Sequence, residues 1–234
     1  MIIFMGKIAF ISDIHGNFPA LQAVWADIKS RGISEIYCLG DLVGYYCQIN
    51  EVISFIRDNH IPCLMGNHDY ALCYNEGKIT RSKTCTSILK SQLSFISITN
   101  LYFLRTLPLS FHLSLESHSF WCMHGGPNDP IDEYFNTKVE IGFSKSALGV
   151  SHLVTAHSHI PEIKFLGDVC YANSGSVGQP RDYINTASYL LFEKGANEVI
   201  RVPYDIDSIV TCMKENGYPE YISSILYRGC RIGE

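Results

Sequence analysis

Five short apolar runs, each ending in residue types that bind metal ions, constrain this chain more than any other feature. Lys7–Ile11 (KIAFI) runs into Ser12-Asp13-Ile14-His15-Gly16-Asn17, and Glu35–Leu39 (EIYCL) into Gly40-Asp41. Ile61–Met65 (IPCLM) runs into Gly66-Asn67-His68-Asp69, Ser119–Met123 (SFWCM) into His124-Gly125-Gly126, and His152–Thr155 (HLVT) into Ala156-His157-Ser158-His159. Runs of this length, rich in β-branched and aromatic residues, predict buried strands. In open α/β sheets, binding and chemistry gather just beyond the carboxyl ends of the strands. Five such ends predict one convergent site built from carboxylate, amide and imidazole groups.

Length and composition are consistent with that reading. The chain has 234 residues, with 47% hydrophobic and 18% charged side chains, as expected of a globular protein with a substantial core. A net charge of −5 with no Lys/Arg run argues against broad nucleic-acid or membrane-surface binding. Residues 1–4 lack the basic start, long apolar stretch and cleavage site of a signal peptide, and are expected to lead into the first buried strand. The nine cysteines form no C-x-x-C pair, so they are expected to be buried thiols of a cytoplasmic protein.

Along the chain, Pro19–Arg31 has helical spacing, with Asn17 as cap and Gly32 as stop. Asn50–Asn59 repeats the pattern, so residues 7–65 read strand–helix–strand–helix–strand. Residues 70–106 carry helical rather than strand signals and are expected to form a helical insertion flanking the site. From Leu107 onward strand candidates dominate: Phe111–Leu115, Ser119–Met123, Glu162–Leu166, Val169–Ala172, Ala187–Glu193 and Glu198–Val202. From Asp205 the chain returns to helical character. The motifs span both halves, which predicts one domain over 1–234 with two sheets.

The chemistry follows from the donor types. On an extended segment, Asp13 and His15 share a face, and His157 and His159 repeat the spacing. Gly40 permits a sharp turn that aims Asp41 inward. Asn67 adds an amide oxygen. Two divalent cations set against Asp13 and Asp41, with neutral imidazoles, leave about two net positive charges, which favours an anionic substrate such as a phosphate. The N and O donors suit manganese first, and also iron, zinc, cobalt or nickel. His68, next to Asn67, is placed to donate a proton to a leaving group, with Asp69 expected to orient its ring.

The ordered set D-x-H, G-D, G-N-H-D, a lone His and H-x-H resembles that of the calcineurin-like metallophosphoesterases, and the stretches SDIHGN, LGDLVGY and NSGSVGQPRD resemble their compact prokaryotic phosphodiesterase-like branch. The resemblance implies a four-layer α/β/β/α sandwich of two mixed sheets flanked by helices. It implies one metal on Asp13, His15, Asp41 and His159, and a second on Asp41, Asn67, His124 and His157. Two departures stand out: Ala156 replaces the usual Gly, and Gly40–Tyr46 (GDLVGYY) lacks the Asp and Arg found there in protein phosphatases.

Asn17, Tyr45 and Arg181 are the expected substrate contacts. A packed aromatic is the alternative for Tyr45, and an ion pair with Asp182 for Arg181. Gly175–Gly178 (GSVG) is either a phosphate-binding turn or a tight turn entering the next strand. The expected function is a metal-dependent phosphoesterase, preferentially a phosphodiesterase, in which a metal-bridging hydroxide attacks phosphorus and His68 protonates the leaving group. Its substrate would be a small phosphate ester or nucleotide. The alternatives are a dinucleoside polyphosphate hydrolase, a phosphomonoesterase or protein phosphatase, and a non-catalytic scaffold.

Overall fold

A computed structural model of the chain describes residues 6–74, 83–135 and 148–234. The expected lead-in at residues 1–4 and part of the expected insertion, residues 75–82, lie outside the described residues. The strands in chain order are β1 (Lys7–Ile11), β2 (Glu35–Cys38), β3 (Ser110–Leu115), β4 (His118–Met123), β5 (His152–Thr155), β6 (Glu162–Leu166), β7 (Val169–Asn173), β8 (Ala187–Glu193) and β9 (Ala196–Val202). The helices are α1 (Phe18–Ser30), α2 (Ile49–Asp58), α3 (Asn67–Tyr74), α4 (Lys83–Leu93), α5 (Ile98–Arg105), α6 (Ile206–Glu215) and α7 (Glu220–Ser223).

The strands make two mixed sheets, ordered β2-β1-β8-β9 and β3-β4-β5-β7-β6. In the first, β1 runs parallel to β2 and antiparallel to β8. In the second, β4, β5 and β7 are parallel, with β3 and β6 antiparallel at the edges. Within KIAFI, Ile8–Ile11 are continuously apolar because both faces of β1 are covered. Ala9 and Ile11 pack with Leu21, Val24 and Ile28 of α1 and Ile53 of α2. Ile8 and Phe10 point the other way and pack with Phe120, Val154, Ala172, Leu190 and Phe192 between the sheets. Trp121, Phe135 and Leu148 pack on the outer face of the second sheet, against Met123, Leu153 and Tyr171.

The expected strand at Ile61–Met65 is a correction. Among the described residues its ladder contact is one parallel bridge, Cys38 to Cys63. Pro62 supplies no N–H, and Met65 turns its N–H away to Pro108 (2.9 Å), so no ladder extends. Within the stretch expected to be an insertion, α4 and α5 lay Leu89 and Leu104 onto the helical side of the first sheet. No helix of the described residues is long and apolar enough to cross a membrane.

The layering leaves the ends of β1, β2, β4 and β5 together at one edge. Asp13 N donates to Gly40 O (3.0 Å) and Ala156 N to His124 O (3.0 Å). Between the sheets, the His157 N–H donates to the Asp13 carboxylate (3.2 Å). Phe120 is the keystone of the inter-sheet core: it is fully buried, with ring centroids 5.8 Å from Phe10 and 4.9 Å from Phe192. Phe120→Ala is expected to cost about 3–5 kcal/mol through lost burial and an unfilled cavity. Urea unfolding followed by circular dichroism measures this.

Candidate metal centre

Three of the five donor-bearing segments turn through strained backbone. Asp13, His15, Asp41, His157 and His159 have φ of 50°, 52°, 58°, 66° and 61°. Left-handed backbone costs a non-glycine residue about 1–3 kcal/mol and persists where surrounding structure over-determines it. The extended D-x-H and H-x-H geometry is therefore corrected: the two side chains converge because the chain kinks at each one. Gly40, at φ +97°, begins the turn that brings Asp41 inward. Ala156 is absent from the positive-φ residues, so alanine fits where the family has glycine.

The kinks bring the predicted donors together. Asp13 Oδ1 lies 3.2 Å from His159 Nε2 and 3.8 Å from His15 Nε2. Asp41 Oδ2 lies 3.6 Å from His15 Nε2 and 3.4 Å from His124 Nε2. His124 Nε2 lies 3.2 Å from Asn67 Oδ1. Among the described residues, three groups of donors are close enough to hold an ion: Asp13, His15 and His159; His15, Asp41 and His68; and Asp41, His124 and His157.

The hydrogen bonds show which atoms are reserved for a ligand. The other ring nitrogens of His15, His124 and His159 bond the carbonyls of Val43 (2.8 Å), Leu39 (2.8 Å) and Gln179 (2.7 Å). A carbonyl only accepts, so each Nδ1 carries a hydrogen and each Nε2 faces inward, able to ligate when it carries no proton. Asp13 Oδ2 accepts from Ser12 Oγ (2.7 Å) and His157 N, and Asp41 Oδ1 accepts from His68 N (2.9 Å). Asp13 Oδ1 and Asp41 Oδ2 are buried with no hydrogen-bond partner. A buried carboxylate oxygen without a protein donor is costly, and a divalent cation removes that cost. The donor set therefore fits metal ions.

Without a cation these groups hold abnormal protonation. Burial, reinforced by Asp41 and opposed by His124, pushes the Asp13 carboxyl up to about 6. Burial opposes the charged form of His124, but Asp41 and Asp13 outweigh it and push the ring up to about 10. Burial holds His15 and His159 well below the usual histidine range. His68 is pushed down to about 4 by burial; Asp41 opposes the shift, and Arg181 and His124 add to it.

Several expected roles change. Asp69 does not touch the His68 ring. Its carboxylate accepts from the backbone N–H groups of Asp41 (2.8 Å), Leu42 (3.0 Å), Val43 (3.2 Å) and Gly66 (3.1 Å), pinning the second ligand loop to the third. Asn17, expected to contact substrate, is fully buried. Its Oδ1 caps α1 through Ala20 N (3.3 Å), and its Nδ2 donates to Gly178 O (2.9 Å) and Tyr204 Oη (3.2 Å). The GSVG turn is structural. Its amides donate to Asn173 Oδ1, Ser188 Oγ, Ser12 O and Asp13 O, which leaves no N–H for phosphate.

Tyr45 and Arg181 do lie at the centre. The Tyr45 ring is 4.7 Å from His15 and 5.0 Å from His68, and Arg181 Nη2 donates to its hydroxyl (3.0 Å). Asp182 pairs with Arg201 instead of Arg181. Sequence reasoning missed Asp132, whose Oδ1 lies 3.6 Å from His157 Nε2. Its only signal was an acidic cluster, Asp129, Asp132 and Glu133, soon after His124. It also missed Gln179, whose backbone carbonyl fixes His159 while its Oε1 accepts from Arg181 Nη2 (2.6 Å). A glutamine between Gly178 and Pro180 carries no local signal.

Comparison with known proteins places this geometry among relatives. The model of the calcineurin-like phosphoesterase superfamily domain matches residues 6–196. An uncharacterized protein of Methanocaldococcus jannaschii is 37% identical, over 95% of this chain and 98% of its own. The crystal structure of a metallophosphoesterase from Sphaerobacter thermophilus superposes with a TM-score of 0.79 at 27% identity, over 96% of this chain and 99% of that one. The structure of a hypothetical protein from Pyrococcus horikoshii gives 0.86 at 22% identity, over 97% and 100%, which bears on the fold alone.

Two outcomes are expected from this geometry. Asp69→Ala strands backbone N–H groups in a buried loop, each at about 1–3 kcal/mol, and is expected to lower stability by several kcal/mol in denaturant unfolding of the metal-free protein. Metal binding is expected to release protons, because His124 near 10 holds its proton at neutral pH and must surrender it to ligate. Calorimetry at pH 7 in buffers of different ionisation enthalpy should count about one proton lost from this ring, and affinity should rise with pH towards 10.

Proposed function

The chain belongs to the calcineurin-like phosphoesterase superfamily, and from that premise we propose that it is a di-metal phosphoesterase that prefers phosphodiesters. One observation carries the reading: Asp41 Oδ2, buried and unpartnered, stands between the imidazole nitrogens of His15 and His124. One oxygen facing two half-sites suits a carboxylate that bridges two cations. Asp13, His15 and His159 complete one half, and Asn67, His124 and His157 the other. Oxygen and imidazole donors without thiolate favour manganese, with iron, zinc, cobalt and nickel as the other candidates. Bound divalent cations supply water activation and charge neutralisation for the phosphoryl oxygens.

The chain's own residues do the rest. His68 is the proton donor to the leaving group. Its ring sits 4.6 Å from the His15 ring, and its Nδ1 is buried without a partner. Burial, with Arg181 and His124, keeps that ring neutral, but an entering phosphate anion beside it favours the charged form, which ties its protonation to substrate binding. Asp69 acts at one remove, holding the Asp41 loop so that the bridging oxygen stays aimed inward.

Arg181 binds the phosphoryl group. Its Nε and Nη2 are tied to Gln179 and Tyr45, which leaves Nη1 for a substrate oxygen. A single clamp, with no arginine in Gly40–Tyr46, suits a singly charged diester better than a doubly charged monoester. The substrate would be a small phosphodiester or nucleotide, and the cytoplasm the expected compartment.

The test uses chelator-stripped protein reloaded with manganese. Faster hydrolysis of bis-p-nitrophenyl phosphate than of p-nitrophenyl phosphate is expected. His68→Ala should lower kcat by about 100- to 10,000-fold while metal content by mass spectrometry stays unchanged. Failure of the loaded wild type to cleave either ester would sink the reading, and a faster monoester rate would turn it towards a phosphatase.

A further inference from the structure

The loop Gly44–Tyr46 decides how the centre meets its substrate. It carries Tyr45 between His15 and His68, and its backbone walls the proton donor. A Cβ built on Gly44 would lie 2.2 Å from His68 Nδ1, so this glycine presses its bare backbone against the ring. Gly44 also has φ +95° and Tyr45 φ +38°, conformations that survive only where neighbours impose them. Within GDLVGYY, Tyr46 N reaches back across Tyr45 to Gly44 O (2.6 Å) and also donates to His15 O (2.9 Å).

The helical insertion adds a side-chain constraint to these backbone bonds. Gln92, on α4, is fully buried. Burying an amide costs free energy unless its polar atoms are bonded, and here they are. Its Oε1 accepts from Gly44 N (2.9 Å), and its Nε2 donates to Tyr46 O (2.9 Å) and Gly44 O (3.3 Å). One side chain thus grips the backbone on both sides of Tyr45, as a neighbouring strand would. The pairing spans 48 residues in the chain.

We propose that Gln92 is a positioning residue that fixes the Gly44–Tyr46 loop against His68, making the insertion a working part of the catalytic site. The inference rests on His68 being the proton donor. Loss of the grip frees Gly44 to move from the ring and Tyr45 to leave its strained conformation. The Tyr45–Arg181 bond would loosen with it, while the metal ligands, anchored on Val43, Leu39 and Gln179 carbonyls, stay in place.

The test is Gln92→Met, which keeps the volume and removes the hydrogen bonds. With the phosphodiester assay, kcat is expected to fall about 10- to 100-fold, the cost of a small misplacement, with metal content unchanged. A packing role alone would lower thermal stability without that loss. A second readout needs no turnover: the imidazole 15N signals of metal-free protein, with His68 assigned by its absence in His68→Ala. The His68 signal is expected to shift in Gln92→Met, while that of His112, on β3, stays put. Should Gln92→Met fail to fold, Gln92→Asn retains the amide one methylene short of the loop and should give the same shift. An unmoved His68 signal, or full kcat in the variant, overturns the proposal. An inactive wild type would defeat the phosphoesterase reading instead, and the His68 signal would still judge Gln92.

Discussion

Asp13 and Asp41 are wholly buried carboxylates, and each keeps one oxygen without a hydrogen-bond donor. Taking such an oxygen out of water is among the most expensive things a fold can do. The surrounding structure is organised around keeping these two atoms bare and close to imidazole nitrogens. Their other oxygens are satisfied by Ser12, the His157 N–H and the His68 N–H. The histidines turn their Nδ1 atoms outward to backbone carbonyls. The left-handed backbone at five candidate ligand residues is the conformational cost of converging on so small a volume.

That arrangement requires two sheets. β1 and β2 deliver Asp13, His15 and Asp41, while β4 and β5 deliver His124, His157 and His159. The inter-sheet core around Phe10, Phe120 and Phe192 holds the two sets of strand ends in register. A shift at this interface would separate Asp13 from His159 and Asp41 from His124, whatever the local loops do. Stability and function are therefore coupled through one apolar layer.

A third tier holds the loops rather than the ligands. Asp69 saturates four N–H groups of two ligand loops, Gln179 links a ligand histidine to Arg181, and Gln92 grips the loop around Tyr45. These are buried polar side chains with local chain signals no stronger than those of any other glutamine or aspartate. Asp69 shows the hazard plainly. Its place after His68 suggested an orienting role, yet folding into α3 turns its carboxylate towards the Asp41 loop, away from the His68 ring.

The sequence by itself determined the strands that carry the site, the donor types at their ends and their order along the chain. Each of these rests on local physics. A strand covered on both faces is mostly apolar, as Ile8–Ile11 of β1 are, and a cation centre needs oxygen and nitrogen donors. The run IPCLM met the same rule, but its proline and the diversion of the Met65 N–H kept it to one bridge. Only the tertiary structure decided which carboxylate oxygens stay bare, which histidine nitrogen faces inward, and that Asp132, Gln179 and Gln92 contact the candidate centre or its loops. Those outcomes depend on which donor saturates which acceptor, and the partners lie far apart in the chain, 28 residues for Asp41 and Asp69 and 48 for Gly44 and Gln92. Periodicity and spacing carry no record of such pairings, because they are fixed when the layers close and every buried polar atom must find a partner.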